Sequence, residues 1–188
     1  MTGRITIRDI AGFCPEEAIW KMMADVTGLL IKANEGYVLT PESIVIDGNS
    51  FMIEAGREII QEFIAPEGIA GGKYGMNQMV WSLGATAYYM ATGHIIFGGH
   101  GSSYQKEHSS VPLPVLPKGL HALTSVIERC LTYSPDDRIG LKELNEVSTQ
   151  GVLSCEKQQR EKIVSTDKGQ KTKVKYSGEK WPEEMIEV

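Results

Sequence analysis

Glu62-Phe63-Ile64-Ala65-Pro66-Glu67, a glycine-rich connection over residues 68–75, and Asn77-Gln78-Met79-Val80-Trp81-Ser82-Leu83-Gly84-Ala85-Thr86-Ala87-Tyr88-Tyr89-Met90-Ala91-Thr92-Gly93 form the stretch whose reading decides the fold. Met79, Val80, Leu83, Ala87, Tyr88 and Ala91 recur at helical spacing, and apolar residues also occupy the remaining faces. A helix that is apolar nearly all round belongs inside a domain, so residues 77–92 are expected to form a buried central helix, with Trp81 and Leu83 in the core. Gly93 is placed to end it, because a residue without Cβ enters the left-handed conformation without steric cost. The loop ahead of the helix carries the Pro66-Glu67 corner.

Working outward, Pro15-Glu16-Glu17 reads as a helix start, with carboxylates near the positive end of the helix dipole. From there Ile19, Trp20, Met23, Val26, Leu29 and Leu30 repeat at the three-and-four spacing, giving a helix to about Lys32 with one buried face. Ile5, Ile7 and Ile10 make a short apolar opening, strand or helical turn. Residues 39–43 read as a turn. Ile44-Val45-Ile46 and Phe51-Met52-Ile53, joined through Asp47-Gly48-Asn49-Ser50, read as a β-hairpin over about 44–53. Residues 57–63 read as a linker and 94–117 as mostly loop, with one short helix near 104–108. Leu120, Leu123, Ile127 and Leu131 define a further amphipathic helix. Ser134-Pro135-Asp136-Asp137-Arg138 is a tight turn, and residues 140–149 a short last helix.

Composition bounds the function. A chain of 188 residues, 41% hydrophobic, is long enough for one domain with a substantial core. The net charge of −5 argues against nucleic acid as the principal partner. No run approaches the roughly 20 apolar residues of a membrane span, and residues 1–9 contain no apolar signal core. Cys14, Cys130 and Cys155 are odd in number and share no CxxC spacing, which favours free thiols and a reducing, cytoplasmic setting. His94, His100, His108 and His121 have no metal-ligand spacing, and no Gly-x-Ser-x-Gly nucleophile motif occurs. After about Cys155 the composition changes. Residues 156–188 hold eight Lys/Arg and seven Asp/Glu with few apolar side chains, which predicts a solvated tail with a helix over 156–164. The domain reading is therefore residues 1–154 and a charged tail, 155–188.

In this order the motifs resemble the C-terminal lobe of eukaryotic-type protein kinases, from about Pro15 to Thr149. Ala65-Pro66-Glu67 stands where kinases end the activation segment, and Val80-Trp81-Ser82-Leu83-Gly84 is similar to the core of their central helix. Thr92-Gly93 with Ile96-Phe97 resembles the exit from that helix. Ile127-Glu128-Arg129-Cys130-Leu131 and Ser134-Pro135-Asp136-Asp137-Arg138-Ile139 resemble the closing helices and the turn between them. The resemblance implies a mainly α, kinase C-lobe-like fold. It also implies a structural ion pair between Glu67 and Arg138, since a planar guanidinium grips a carboxylate with two parallel hydrogen bonds.

The same resemblance implies degenerate chemistry. Phosphoryl transfer needs phosphate cradling, metal ligands and a residue that orients the attacking hydroxyl. Leu39-Thr40-Pro41-Glu42-Ser43 aligns with the Leu-Lys-Pro-Glu-Asn of the catalytic loop. That alignment puts Gly36 at the histidine, Tyr37 at the arginine, Val38 at the catalytic aspartate, Thr40 at the lysine and Ser43 at the metal-binding asparagine. The Asp-Phe-Gly site falls near Glu54-Ala55-Gly56. Met79 takes the place of an aspartate that holds the catalytic loop, matching the glycine at position 36: both ends of one interaction have changed together. Only 14 residues precede Pro15, so no small lobe is expected.

A large lobe of this kind also resembles the KIND domain, the kinase non-catalytic C-lobe module, whose opening of a short Leu/Ile-rich segment followed by Glu-Glu-x-Ile-Trp is matched by Ile5 to Ile10 and by Glu16-Glu17-Ala18-Ile19-Trp20. That resemblance implies a non-enzymatic module that binds a protein or peptide, with no metal, no cofactor and no ATP. Trp181, Met185 and Ile186, apolar residues within the charged tail, are the candidate partner-binding residues. Two alternatives stand beside it: an actin-cytoskeleton role through the tail, where residues 163–174 resemble short actin-binding motifs, and a degenerate kinase with residual nucleotide binding.

Overall fold

The structure is a computed structural model that describes residues 4–12, 14–34, 36, 39–54, 60–69, 75–108, 116 and 119–169, with side chains up to residue 162. Its contacts divide the chain into residues Met1–Glu156 and Lys157–Val188. The first unit holds the core.

The element order is α1 (Ile7–Ile10), α2 (Glu16–Ala33), β1 (Ile44–Asp47), β2 (Ser50–Ile53), a 3-10 turn at Gln61–Phe63, α3 (Pro66–Ile69), α4 (Met76–Thr92), a 3-10 turn at Phe97–Gly99, α5 (Ser102–Glu107), α6 (His121–Cys130) and α7 (Leu141–Gly169). The molecule is thus mainly helical, with one small antiparallel sheet.

Helix α4 is the centre. Met79, Val80, Trp81, Leu83, Ala85, Ala87 and Met90 are all buried, as are Ser82 and Thr86, whose hydroxyls bond back to Gln78 and Ser82 carbonyls one turn earlier. That back-bonding is how hydroxyl side chains survive inside a helix without stranded donors. Gly93 caps the helix at φ 71, with its N–H on the Tyr89 carbonyl at 2.8 Å. Gly84 sits where a Cβ would come within 2.5 Å of the Cys130 Cβ, so its bare Cα is what lets α6 lie against α4. The indole of Trp81 donates to Gln105 Oε1 at 2.9 Å, and Gln105 Nε2 donates to the Leu131 carbonyl at 2.7 Å. One buried amide thus ties the central helix to α5 and to the end of α6.

Helix α2 buries Ile19, Trp20, Met22, Met23, Val26 and Leu30. Pro15 is its N-cap rather than its first residue, and Asn34 closes it in the left-handed region. Asp25 Oδ2 accepts the Phe51 N–H at 2.9 Å, which fastens the outer edge of β2 to the helix. In the hairpin, Ile44 faces Ile53 and Ile46 faces Phe51, and these four pack toward the core. The opening segment is both strand and helix. Ile5 accepts the Ile46 N–H at 2.9 Å and Thr6 bridges to Val45, extending the sheet by one short rung, after which α1 buries Ile7. The Asp9 carboxylate accepts both the N–H and the hydroxyl of Thr6 at 2.8 Å, and those bonds hold its pKa below the ordinary carboxylate value.

The last helix departs from the sequence expectation. Residues 140–149 were expected as a short helix followed by a separate one over 156–164, whereas α7 runs as one helix through Gly169. Gly151, a residue that reads as a break, instead lies flat against Trp20: a Cβ there would fall 2.3 Å from the indole Cδ2. The following Glu156-Lys157-Gln158-Gln159-Arg160-Glu161-Lys162 run is made of good helix formers, and the helix expected over 156–164 is present as the continuation of α7. Asn145 Nδ2 donates to the Ala24 carbonyl and to Thr27 Oγ1, at 3.0 and 2.8 Å, which sets the start of α7 on α2. Among the described residues, no helix is long and apolar enough to cross a membrane.

Candidate functional site

The turn that leads into the hairpin is where the aligned catalytic positions fall. Leu39 and Thr40 are buried, at 0% and 1% exposure, and Ser43 at 4%. The Ser43 hydroxyl accepts the Thr40 N–H at 2.9 Å and donates its proton to the Thr40 carbonyl at 2.9 Å, while the Ser43 N–H reaches the same carbonyl at 3.0 Å. A serine hydroxyl has one proton to give. In this turn that proton is spent on the backbone.

Across the open end of the hairpin the Glu54 N–H donates to the Ser43 carbonyl at 2.8 Å. The two positions aligned with metal-binding residues are therefore neighbours in space, joined through main chain. The Glu54 carboxylate lies 3.9 Å from Arg4 Nη1 at a partly exposed site. Gly36 is exposed. Tyr37, Val38, Ala55 and Gly56 lie outside the described residues. Met79 is 1% exposed. Among the described residues no group of three or more His, Cys, Asp or Glu could hold a metal ion.

Glu67 and Arg138, 71 residues apart, meet at the start of α4. Arg138 Nη1 donates to Glu67 Oε1 at 2.7 Å and Nη2 to Glu67 Oε2 at 3.2 Å, the two-pronged geometry of a guanidinium on a carboxylate. The same guanidinium reaches the carbonyls of Thr132 at 3.0 Å, Asn77 at 2.7 Å and Tyr133 at 3.2 Å. Its side chain is fully buried, whereas that of Glu67 keeps 26% exposure. Arg138 thus stitches the start of α4, the Pro66-Glu67 corner and the turn after α6 into one unit. Trp20, Trp81 and Leu83 are all in the core, at 3%, 0% and 0% exposure.

Trp181, Met185 and Ile186 lie outside the described residues. Sequence reasoning passed over Glu42, whose Oε1 accepts Arg8 Nη1 at 2.6 Å. The signal was available in its place between Pro41 and Ser43, a turn position that leaves its side chain free to face the opening segment. Gln105, the amide that joins three helices, was not legible, because nothing in a polar residue on a short helix announces that it points inward. Cys130 is fully buried and its thiol is pushed up to about 12 by desolvation. Cys14 and Cys155 are raised by the same cause, so none of the three is an activated nucleophile.

The family model for the protein kinase domain matches residues 56–148, the segment that holds Glu67, α4, α6 and Arg138. Mitogen-activated protein kinase kinase 2 of Arabidopsis thaliana is 34% identical over 94 residues, which cover 45% of this chain and 26% of that relative. The chain therefore spans about a quarter of the length of the curated relative it matches. Together with the helical architecture around α4, these matches give the chain a protein kinase-like fold corresponding to the large lobe.

Proposed function

We propose that this chain is a catalytically inactive, kinase-like interaction module, similar to KIND domains, which holds a partner protein or peptide and transfers no phosphate. The observation that carries this reading is the turn at Thr40 and Ser43. The residue aligned with the metal-binding asparagine is a short, buried serine whose hydroxyl is bonded twice to the Thr40 main chain, so it has neither the reach nor the free carbonyl oxygen that an asparagine side chain offers a cation. Further support comes from the sequence: valine at position 38 supplies no proton acceptor, threonine at 40 no cation, and the buried Met79 takes the place of a charged anchor. The reading places the module in the cytoplasm, with the residues around Trp181, Met185 and Ile186 as a candidate segment for partner contact.

The experiment is a thermal-shift titration of the full chain with Mg·ATP. A ligand at 100 times its Kd stabilises the folded state by about 2.7 kcal/mol, which moves the midpoint of a chain this size by several degrees. The expected result is an unchanged midpoint. A saturable rise favours the competing reading, a degenerate kinase that retains nucleotide binding, which draws on the kinase relative.

A further inference from the structure

We draw no further inference here: the strongest candidate, the apolar cavity of about 460 Å³ walled by Ile31 and Asn34 at the end of α2, Met76 at the start of α4 and Leu141 at the start of α7, carries nothing, because its charged wall residues Lys142 and Glu143 balance each other and nothing in the structure shows what covers it.

Discussion

At the residue scale, Arg138 concentrates the most structure in one side chain. Its guanidinium is buried, doubly bonded to Glu67 and in contact with three main-chain carbonyls. Arg138→Ala strands a carboxylate and three acceptors together and is expected to cost on the order of 3–5 kcal/mol in urea unfolding. Glu67→Gln keeps the shape and one acceptor at a partly exposed position, so its cost should be smaller, about 1–2 kcal/mol. Equal losses for the two would mean that the carboxylate, rather than the five-bond hub, is what matters. Cys130 gives a pH signature. Its thiol titrates at about 12 in the folded chain against an ordinary 9.0, so between those values the unfolded chain loses this proton while the folded chain keeps it. The stability it contributes is whole below pH 9.0 and is lost progressively toward pH 12. Cys130→Ala should flatten the fall in stability over that window. A fall as steep as that of the parent chain would assign it to other groups.

At the element scale, two glycines decide how helices meet. Gly151→Ala forces a Cβ into the Trp20 ring at 2.3 Å, and a flat indole wedged between helices has little room to yield. A loss of about 1–3 kcal/mol, with a change in tryptophan emission as α7 lifts from α2, is the expected result. The helices were legible where their apolar spacing was strong. Residues 19–30 and 79–91 announced α2 and α4, because a helix buried on one face or on all faces writes its period into the sequence. The hairpin was legible from its β-branched runs and the Asp47-Gly48 turn. The length of α7 was not, since Gly151 reads as a breaker until Trp20 is seen against it, and since charge-rich composition suits both a solvated tail and an exposed helix. The site was legible in part. The meeting of Glu67 and Arg138 followed from motif order, whereas the Ser43 hydrogen bonds and the Arg8–Glu42 contact depend on rotamers and on the path of the opening segment, which no spacing encodes. Ser43→Ala leaves the buried Thr40 N–H without its acceptor and should cost about 1–3 kcal/mol, measured by the same urea unfolding; an unchanged midpoint would mean that water enters the turn.

At the scale of the whole molecule, a kinase-like large lobe is built around α4, with the ion pair at the start of that helix holding the lobe together and the turn that leads into the hairpin carrying the aligned positions Thr40 and Ser43. The stability of the lobe and its chemistry reside in different residues, so the first can persist while the second changes. Phosphate transfer by the full chain is the direct measurement: γ-labelled Mg·ATP is supplied with the chain itself and a mixed peptide pool as acceptors, beside Ser43→Ala and Glu54→Ala. The account predicts no incorporation above that of heat-denatured chain. Magnesium-dependent incorporation that disappears in both variants would contradict it, because the hairpin mouth would then be a working catalytic site.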